Sequence, residues 1–275
     1  MATLFRKKGL KPKWTFTTKG IIWRLFYSES KKIVGEIRNA DSQDVSFFCL
    51  DACNGKPLWE NMHFDEKWWI GIENVDDRFV YFHRFIQPNM PQHQGIECRT
   101  LDKCEMQWRN DELTFWYLSD EKVCAYKDFF EQRKTYWIDR QTGNILNDAS
   151  VEEMSCDDKN GSKNFILAPM PATRMAVGDE IQNLIQRNGT PNILQDTVEA
   201  IETYWYWIVG YYCNENENKY SLHLEIIDRS SGESVYSIVQ EKECLFQVPE
   251  NFFVADGWLY FVKDKHKLNG IELWK

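Results

Sequence analysis

Short apolar stretches alternate with polar turns along most of the chain. Five stretches have the pattern of a β-hairpin. Each consists of two apolar runs joined by a short turn that contains Ser, Asp, Asn, Thr or Gly. The five patterns are IIWRLFY-SES-KKIVGEIR, KWWIGIE-NVDD-RFVYFHRF, LTFWYL-SDE-KVCAYKDF, DTVEAIE-T-YWYWIVGYY and NFFVA-DG-WLYFVK. Apolar runs of this length bounded by turn residues are typical of antiparallel β-strands.

A turn motif recurs downstream of three of these hairpins. It reads DACNGKPLW from Asp51, DRQTGNILN from Asp139 and DRSSGESVY from Asp228, at spacings of 88 and 89 residues. The Asp side chain can accept a hydrogen bond from the backbone two residues on, and Gly adopts positive φ without steric cost. Each spacing corresponds to two units of roughly 44 residues, the length of a four-stranded propeller blade.

These patterns predict an all-β fold, a β-propeller of four-stranded blades in one domain, 1–275. The expected units cover 20–61, 67–110, 112–148, 196–240 and 251–275. The last unit lacks a fourth strand, and KPKWTF at 11–16 supplies it, so the ring is closed by the N-terminal strand and has no free edge. Five blades are expected, with six as the alternative.

The stretch 149–195 does not scan as a blade and is interpreted as a loop and helix insertion. The helix is expected near 178–189, with Ile181, Leu184 and Ile185 on one face and Gly189 after its end. This apolar stripe could dock on a partner or on a second copy of the chain.

Composition narrows the possible classes of function. Twelve Trp, 12 Tyr and 17 Phe suit strands, and the net charge of −9 disfavours binding to nucleic acid or to anionic membranes. No stretch approaches the ~20 apolar residues of a membrane span, and the N-terminus lacks the apolar region of a signal peptide. Eight cysteines without a C-x-x-C pair predict reduced, mostly buried thiols. We expect a cytoplasmic monomer.

The Asp-x-x-x-Gly-x-x-x-Trp turn resembles the repeats of quinoprotein-type β-propellers. The segments VSFFCLDACNGKPLWEN, EKWWIGIE and PNMPQHQGI resemble a bacterial family, domain of unknown function 4905, over nearly the whole chain. The resemblance implies a propeller-like fold and no known activity. Quinone chemistry is not expected, because adjacent cysteines and an export signal are missing, and no cofactor is predicted.

The segment Phe82 to Glu97 is the most unusual connection. We interpret it as a ligand-facing loop, because loops on a rigid scaffold often carry binding residues. The polar side chains of His83, Arg84 and His93 would contact the ligand. The alternative is a surface loop stiffened by Pro88 and Pro91. His83, His93 and Cys98 match no standard metal-site spacing, so no metal is predicted.

Aromatic residues recur near the starts of the inner strands. Trp68 and Trp69 are expected at the start of one inner strand, with one ring packed between blades and the other at the channel mouth. Trp116 and Arg24 (next to Trp23) hold similar positions in neighbouring units. Together they could surround a central channel with Arg24 as its charge, but core packing remains the default expectation for each of them.

No acid recurs where a catalytic group would be needed, so no catalytic residue is predicted. The sequence leaves the function unknown and favours a non-catalytic module that binds a protein or a small ligand. The alternative is a carbohydrate-active hydrolase at the channel mouth. Glycoside hydrolysis would require two or three carboxylates within about 5–10 Å of one another.

Overall fold

The computed structural model describes residues 9–86, 91–119, 121–148, 166–188, 192–216 and 219–274. Within them the chain forms 22 strands, one α-helix and two short 3₁₀ turns, which confirms the all-β prediction. The strands form five antiparallel sheets. The chain divides into two compact units. Unit 1 contains 1–19, 53–55 and 166–275, and unit 2 contains 20–52 and 56–165.

The elements, in chain order, are β1 (Trp14–Thr17), β2 (Ile21–Ser28), β3 (Lys32–Asn39), β4 (Asp44–Asp51), β5 (Pro57–Met62), β6 (Ile70–Val75), β7 (Phe79–Phe85), β8 (His93–Thr100), β9 (Met106–Asn110), β10 (Thr114–Leu118), β11 (Lys122–Asp128), β12 (Arg133–Asp139), β13 (Ile145–Asp148), β14 (Ile166–Leu167), β15 (Met170–Pro171), α1 (Gly178–Arg187), β16 (Glu199–Glu202), β17 (Tyr206–Asn216), β18 (Lys219–Asp228), β19 (Ser234–Cys244), β20 (Phe252–Ala255), β21 (Trp258–Lys263) and β22 (Lys267–Glu272). The 3₁₀ turns are Ala172–Arg174 and Gln195–Thr197.

Unit 2 contains three sheets of four strands each, in the orders β2-β3-β4-β5, β6-β7-β8-β9 and β10-β11-β12-β13. Each strand pairs with its neighbour in sequence, as the hairpin patterns predicted. The sheet of β6 to β9 is buried on both faces. Strand β7 sends Val80 and Phe82 into one apolar cluster and Phe79 and Tyr81 into another. Burial on both faces explains why β7 begins with four consecutive apolar residues, 79–82.

Tryptophan side chains form hydrogen bonds between neighbouring sheets of unit 2. Trp59 at the end of the first sheet donates its indole N–H to the carbonyl of Leu101, at 2.8 Å. Trp108 of the second sheet donates to the carbonyl of Arg140, at 2.9 Å. A Cβ built on Gly143 (φ +73°) would lie 2.6 Å from the Trp108 ring. The turn therefore needs Gly for its backbone conformation and for this close contact.

Unit 1 contains two sheets of five strands, β15-β16-β17-β18-β19 and β1-β22-β21-β20-β14. Strand β1 pairs with β22 in the register Trp14↔Gly270, which confirms that the N-terminal segment completes the last predicted sheet. The short strands β14 and β15 fall inside the stretch that was predicted to be only loop and helix. Two residues are too few to show a periodic pattern, so the sequence did not reveal them.

The helix prediction is confirmed by α1, but its apolar stripe is not free to dock. Ile181 and Ile185 are buried in a cluster with Trp207 and Val209, and Leu184 packs against the same cluster. The hypothesis that this stripe binds a partner is therefore wrong. Asp179 and Glu180 lie in the first turn of α1, where negative charge is favourable.

The number of blades and the closure of a ring stay predictions, and residues 149–165 lie outside the described residues. Among the described residues, no helix has the length and apolar character to cross a membrane. No disulfide joins the seven described cysteines, and six of them are buried. Burial raises the pKa of the Cys49 thiol to about 12, which keeps it protonated and unreactive.

Candidate functional site

A cavity of about 520 Å³ lies in unit 2, where residues of the first sheet meet residues of the second. Its volume falls in the range of roughly 300–1,000 Å³ that is usual for small-molecule sites. Five predicted site residues line it: Arg24, Trp68, Trp69, His83 and His93. The other lining residues are Ile21, Trp23, Glu36, Arg38, Ala40, Phe85 and Pro91.

The first strand of each sheet in unit 2 carries a β-bulge. The extra residue is Trp23 in β2, Glu73 in β6 and Trp116 in β10. A bulge bends the strand and redirects a side chain away from the regular alternation. Trp23 is 60% exposed and lines the cavity, whereas Trp116 is 45% exposed and lies outside it. The same kind of β-bulge therefore places one residue of each of these three strands outside the core.

Trp68 and Trp69 precede β6, so the prediction that they begin an inner strand is corrected. The Glu66 carboxylate accepts hydrogen bonds from their backbone N–H groups at 3.0 and 2.9 Å, which fixes this segment. The Trp69 ring meets Phe85 edge-on at 5.7 Å. The Arg38 guanidinium lies 5.0 Å from the centre of the Trp68 ring, within cation–π range.

A buried ion pair forms the polar part of the cavity wall. Glu36 is 1% exposed, and one of its oxygens accepts a hydrogen bond from Arg38 Nε at 2.5 Å. Its other oxygen accepts one from the backbone N–H of Ile72 at 3.2 Å. Arg38 also donates to the carbonyls of Trp68 and Ile70. The pair thus connects the first sheet to the second, and its donors and acceptors are largely engaged.

Two histidines stack at the cavity wall. The rings of His83 in β7 and His93 in β8 are 3.5 Å apart and 13° from parallel. Phe85 meets both rings edge-on, at 5.0 and 5.1 Å. Gly71 lies opposite His83, and a Cβ there would approach His83 Nε2 to 2.8 Å and Glu36 Oε2 to 3.2 Å. Only a glycine therefore leaves room for this arrangement.

The two histidines have different surroundings. His93 Nδ1 is 2.8 Å from Glu73 Oε2, and both side chains are partly exposed. His83 is 3% exposed, and its Nδ1 has no hydrogen-bond partner among the described residues. Burial, reinforced by the neighbouring His93, lowers the pKa of His83 to about 3. His83 is therefore neutral at pH 7.

Glu73, His83 and His93 bring possible metal-ligating atoms within 4.8 Å of one another. Cys98, which the sequence analysis had considered with the two histidines, lies instead in an apolar cluster with Tyr81 and Trp108. The third group near the histidines is a carboxylate.

The predicted ligand-facing loop is much shorter than expected. His83 and Arg84 lie in β7, and His93 begins β8. Pro91 lines the cavity, and Pro88 lies outside the described residues. The prolines and the polar residues of the segment suggested a loop, but pairing with β8 extends β7 to Phe85.

Two predicted site residues do not reach the cavity. Arg84 binds Asp65 at 2.6 Å and approaches Glu97 at 3.4 Å, and this ion pair lowers the pKa of Asp65. Trp116 packs edge-on against Tyr117 and Tyr126. The predicted ring of aromatic residues is thus only partly assembled at this cavity.

Sequence reasoning missed four charged or aromatic residues of the site, Glu36, Arg38, Glu73 and Phe85, and the apolar lining residues Ile21 and Ala40. One signal was available for Glu73. It follows Trp23 by 50 residues and precedes Trp116 by 43, about one repeat length in each direction. The matched positions share the bulge, although they do not share the residue type.

The described residues define an all-β protein built from four- and five-stranded antiparallel sheets. The sequence model of the domain of unknown function DUF4905 matches residues 27–108. This match confirms the resemblance to that family for a segment that includes most of the cavity residues. A bacterial origin and quinoprotein-like repeats stay predictions. No curated protein matches the sequence.

Several solved structures are similar at low scores. A eukaryotic initiation factor is 9% identical with a TM-score of 0.34, and the match covers 89% of this chain and 49% of that chain. This chain therefore spans about half the length of that structure. A DUF4221 family member from Bacteroides vulgatus is 9% identical, with coverages of 97% and 98% and a TM-score of 0.37. The WD40 domain of SCAP from fission yeast is 10% identical, with coverages of 95% and 62% and a TM-score of 0.33. Similarities of this size support no conclusion about function.

Proposed function

We propose that the protein is a non-catalytic binding module, and that the cavity of unit 2 binds a small ligand with a flat ring and a negative charge. The observation that carries this proposal is the pair Trp23 and Arg24, which presents an exposed ring and an exposed guanidinium to one cavity. A cytoplasmic location, a monomeric state and a protein partner stay predictions from the sequence.

The exposed ring of Trp23 supports a flat apolar group in the ligand. Trp23 is 60% exposed although it lies in a concave site that also contains the apolar rings of Trp68, Trp69 and Phe85. Covering a large apolar side chain stabilises a complex by roughly 1.5–3 kcal/mol. Aromatic partners add about 0.5–1.5 kcal/mol when they stack in an offset or edge-on geometry.

Arg24 supports a negative charge in the ligand. Arg38 is already bound to Glu36 and to two backbone carbonyls. Arg24 is exposed, and it has no ion pair among the described residues although it lies opposite Glu36 in the sheet register. A guanidinium matches carboxylate and phosphate groups because its planar fork can donate two parallel hydrogen bonds.

The test uses the full chain after chelator treatment, with benzoate and phenyl phosphate as probes and benzyl alcohol as the neutral control. Binding is followed by tryptophan fluorescence and ligand-observed NMR. We expect the anions to bind more tightly than the alcohol. Arg24→Gln should weaken anion binding about 10-fold or more, since a hydrogen bond to a charged group contributes about 1.5–3 kcal/mol.

Trp23→Leu should weaken all three probes, whereas Trp116→Leu is the matched control at an equivalent bulge outside the cavity and should change none of them. Equal affinity for the anions and the alcohol would overturn the proposal. So would wild-type affinity in both Arg24→Gln and Trp23→Leu.

The hydrolase alternative has less support. Glu36 is the one carboxylate lining the cavity among the described residues, and both of its oxygens already accept hydrogen bonds. A general acid or a nucleophile needs a carboxyl group that can reach the substrate. Hydrolysis of a nitrophenyl glycoside that is lost in Glu36→Gln would favour the hydrolase over the binding module.

A further inference from the structure

We propose that Glu73, His83 and His93 bind a divalent transition-metal ion, with Zn²⁺ as the best match to their chemistry. The three residues lie on three adjacent strands, β6, β7 and β8, and their ligand atoms lie within 4.8 Å of one another. Two imidazoles and one carboxylate form a recognised zinc ligand set that leaves a fourth position open. This inference goes beyond the proposed function, because it does not require any organic ligand.

The buried state of His83 is the second observation that points to a ligand. Its Nδ1 is enclosed and has no hydrogen-bond partner among the described residues. A buried polar atom left without a partner costs about 1–3 kcal/mol. A metal ion bound at Nδ1 would satisfy it, and Nε2, which faces Gly71 and Glu36, is the other nitrogen of the ring that a metal ion could take.

Binding requires a rearrangement of the two rings. They are 13° from parallel, so the in-plane lone pairs of stacked nitrogens do not converge on one point. Zinc takes nitrogen ligands at about 2.0–2.1 Å in tetrahedral geometry. One ring must therefore turn out of the stack. His93 is the one that can turn, since it is partly exposed whereas His83 is enclosed.

Nearby charges limit the affinity without excluding the ion. Arg24 and Arg38 lie close enough to disfavour positive charge on His83, and they would also oppose a metal ion. Glu73 in the ligand set and Glu36 beside His83 offset them. Two of the proposed ligands, His83 and His93, line the cavity together with Arg24. An anion in the cavity could therefore meet the metal and Arg24 together.

The experiment measures metal binding alone. The chelator-stripped full chain is titrated with Zn²⁺ against a chelating dye, and Co²⁺ substitution is followed by visible absorption. We expect one ion per chain and a Co²⁺ spectrum of low coordination number. His93→Ala and Glu73→Gln should each weaken binding by at least about 10-fold, the smaller effect known for loss of an outer-shell partner. Both side chains are partly exposed, and circular dichroism verifies that the variants fold.

His63→Ala is the matched control. His63 lies 3.5 Å from Asp44 on the surface, so it offers another histidine–carboxylate pair, for which the described part of the chain supplies no third ligand. We expect this variant to bind Zn²⁺ like the wild type. An absence of stoichiometric binding, or an equal loss in His63→Ala and His93→Ala, would overturn the metal site. Zn²⁺ binding without any binding of the planar anions would support the metal site and overturn the proposed function.

Discussion

Units 1 and 2 each bury a glutamate beside stacked rings, but the two glutamates have different partners. In unit 2, Glu36 binds the charged Arg38 at the wall of the cavity. In unit 1, Glu225 accepts hydrogen bonds from two neutral groups, Asn188 Nδ2 at 2.7 Å and the Tyr211 hydroxyl at 3.3 Å. Asn188 directly follows α1, so the helical insertion reaches the buried carboxylate of unit 1.

The stacked rings differ in the same way. His223 stacks on Tyr211 at 5.4 Å and 11°, and its Nε2 is 2.9 Å from the Ser221 hydroxyl. His83 stacks on a second histidine and has a ring nitrogen without a partner. Glu225 and His223 of unit 1 show that a buried carboxylate and a stacked histidine are compatible with a structural role. What distinguishes unit 2 is that its buried histidine stacks on a second histidine, that Glu73 lies close to both, and that both histidines line a cavity.

The largest expected effect is a difference in stability loss between two substitutions, one at the charged partner of Glu36 and one at a neutral partner of Glu225. Arg38→Ala leaves Glu36 buried without its counter-charge, and removal of one partner of a buried ion pair costs about 3–5 kcal/mol. Asn188→Ala removes one hydrogen bond to Glu225 and should cost about 1–3 kcal/mol. Urea unfolding measures both free energies. Arg24→Ala serves as the exposed control, with a change within about 0.5 kcal/mol. A larger loss in Asn188→Ala than in Arg38→Ala would contradict the comparison.

A matched pair of glycines tests the cavity itself. A Cβ at Gly71 would lie 2.8 Å from His83, and one at Gly210 in unit 1 would lie 2.6 Å from the Phe252 ring. Each Gly→Ala change should destabilise the protein by about 1–3 kcal/mol through overpacking. We expect Gly71→Ala to abolish Zn²⁺ and anion binding, whereas Gly210→Ala should retain both. Retention of both activities in Gly71→Ala would show that the cavity tolerates the displacement of His83.

The smallest effect is the dependence of stability on pH in chelator-treated protein. The pKa of His83 is lowered from 6.5 to about 3, so between these values the unfolded chain binds a proton that the folded chain does not. The free energy of unfolding should therefore decrease as pH falls through this window, by up to about 1.4 kcal/mol per pH unit. His83→Asn should reduce this slope.

Burial also lowers the pKa of His223 in unit 1. His223→Asn should therefore also make the free energy of unfolding depend less steeply on pH. If the slope in His83→Asn equals that of the wild type, the burial of His83 does not govern its ionisation.

Much of the fold could be predicted because strands and turns are encoded locally. The alternation of apolar runs gave the hairpins, and the missing fourth strand of the last unit led to the pairing of Trp14 with Gly270. The site was harder to predict because it depends on register. A bulge at Trp23 or Glu73 is a shift of one residue between two strands, and no single-strand pattern reports it. His83 and Arg84 are adjacent in sequence, yet only His83 lines the cavity.

The pairing of β1 with β22 has a consequence for synthesis on the ribosome. The hydrogen bond from Thr15 Oγ1 to Asn269 Oδ1 spans 254 residues. At about 5–20 residues per second, β1 emerges roughly 13–50 s before its partner strand does. The sheets of unit 2, built from consecutive strands, can form during that interval. Throughout that interval the backbone groups of β1 that later bond to β22 stay unpaired, and such groups can pair with strands of other chains.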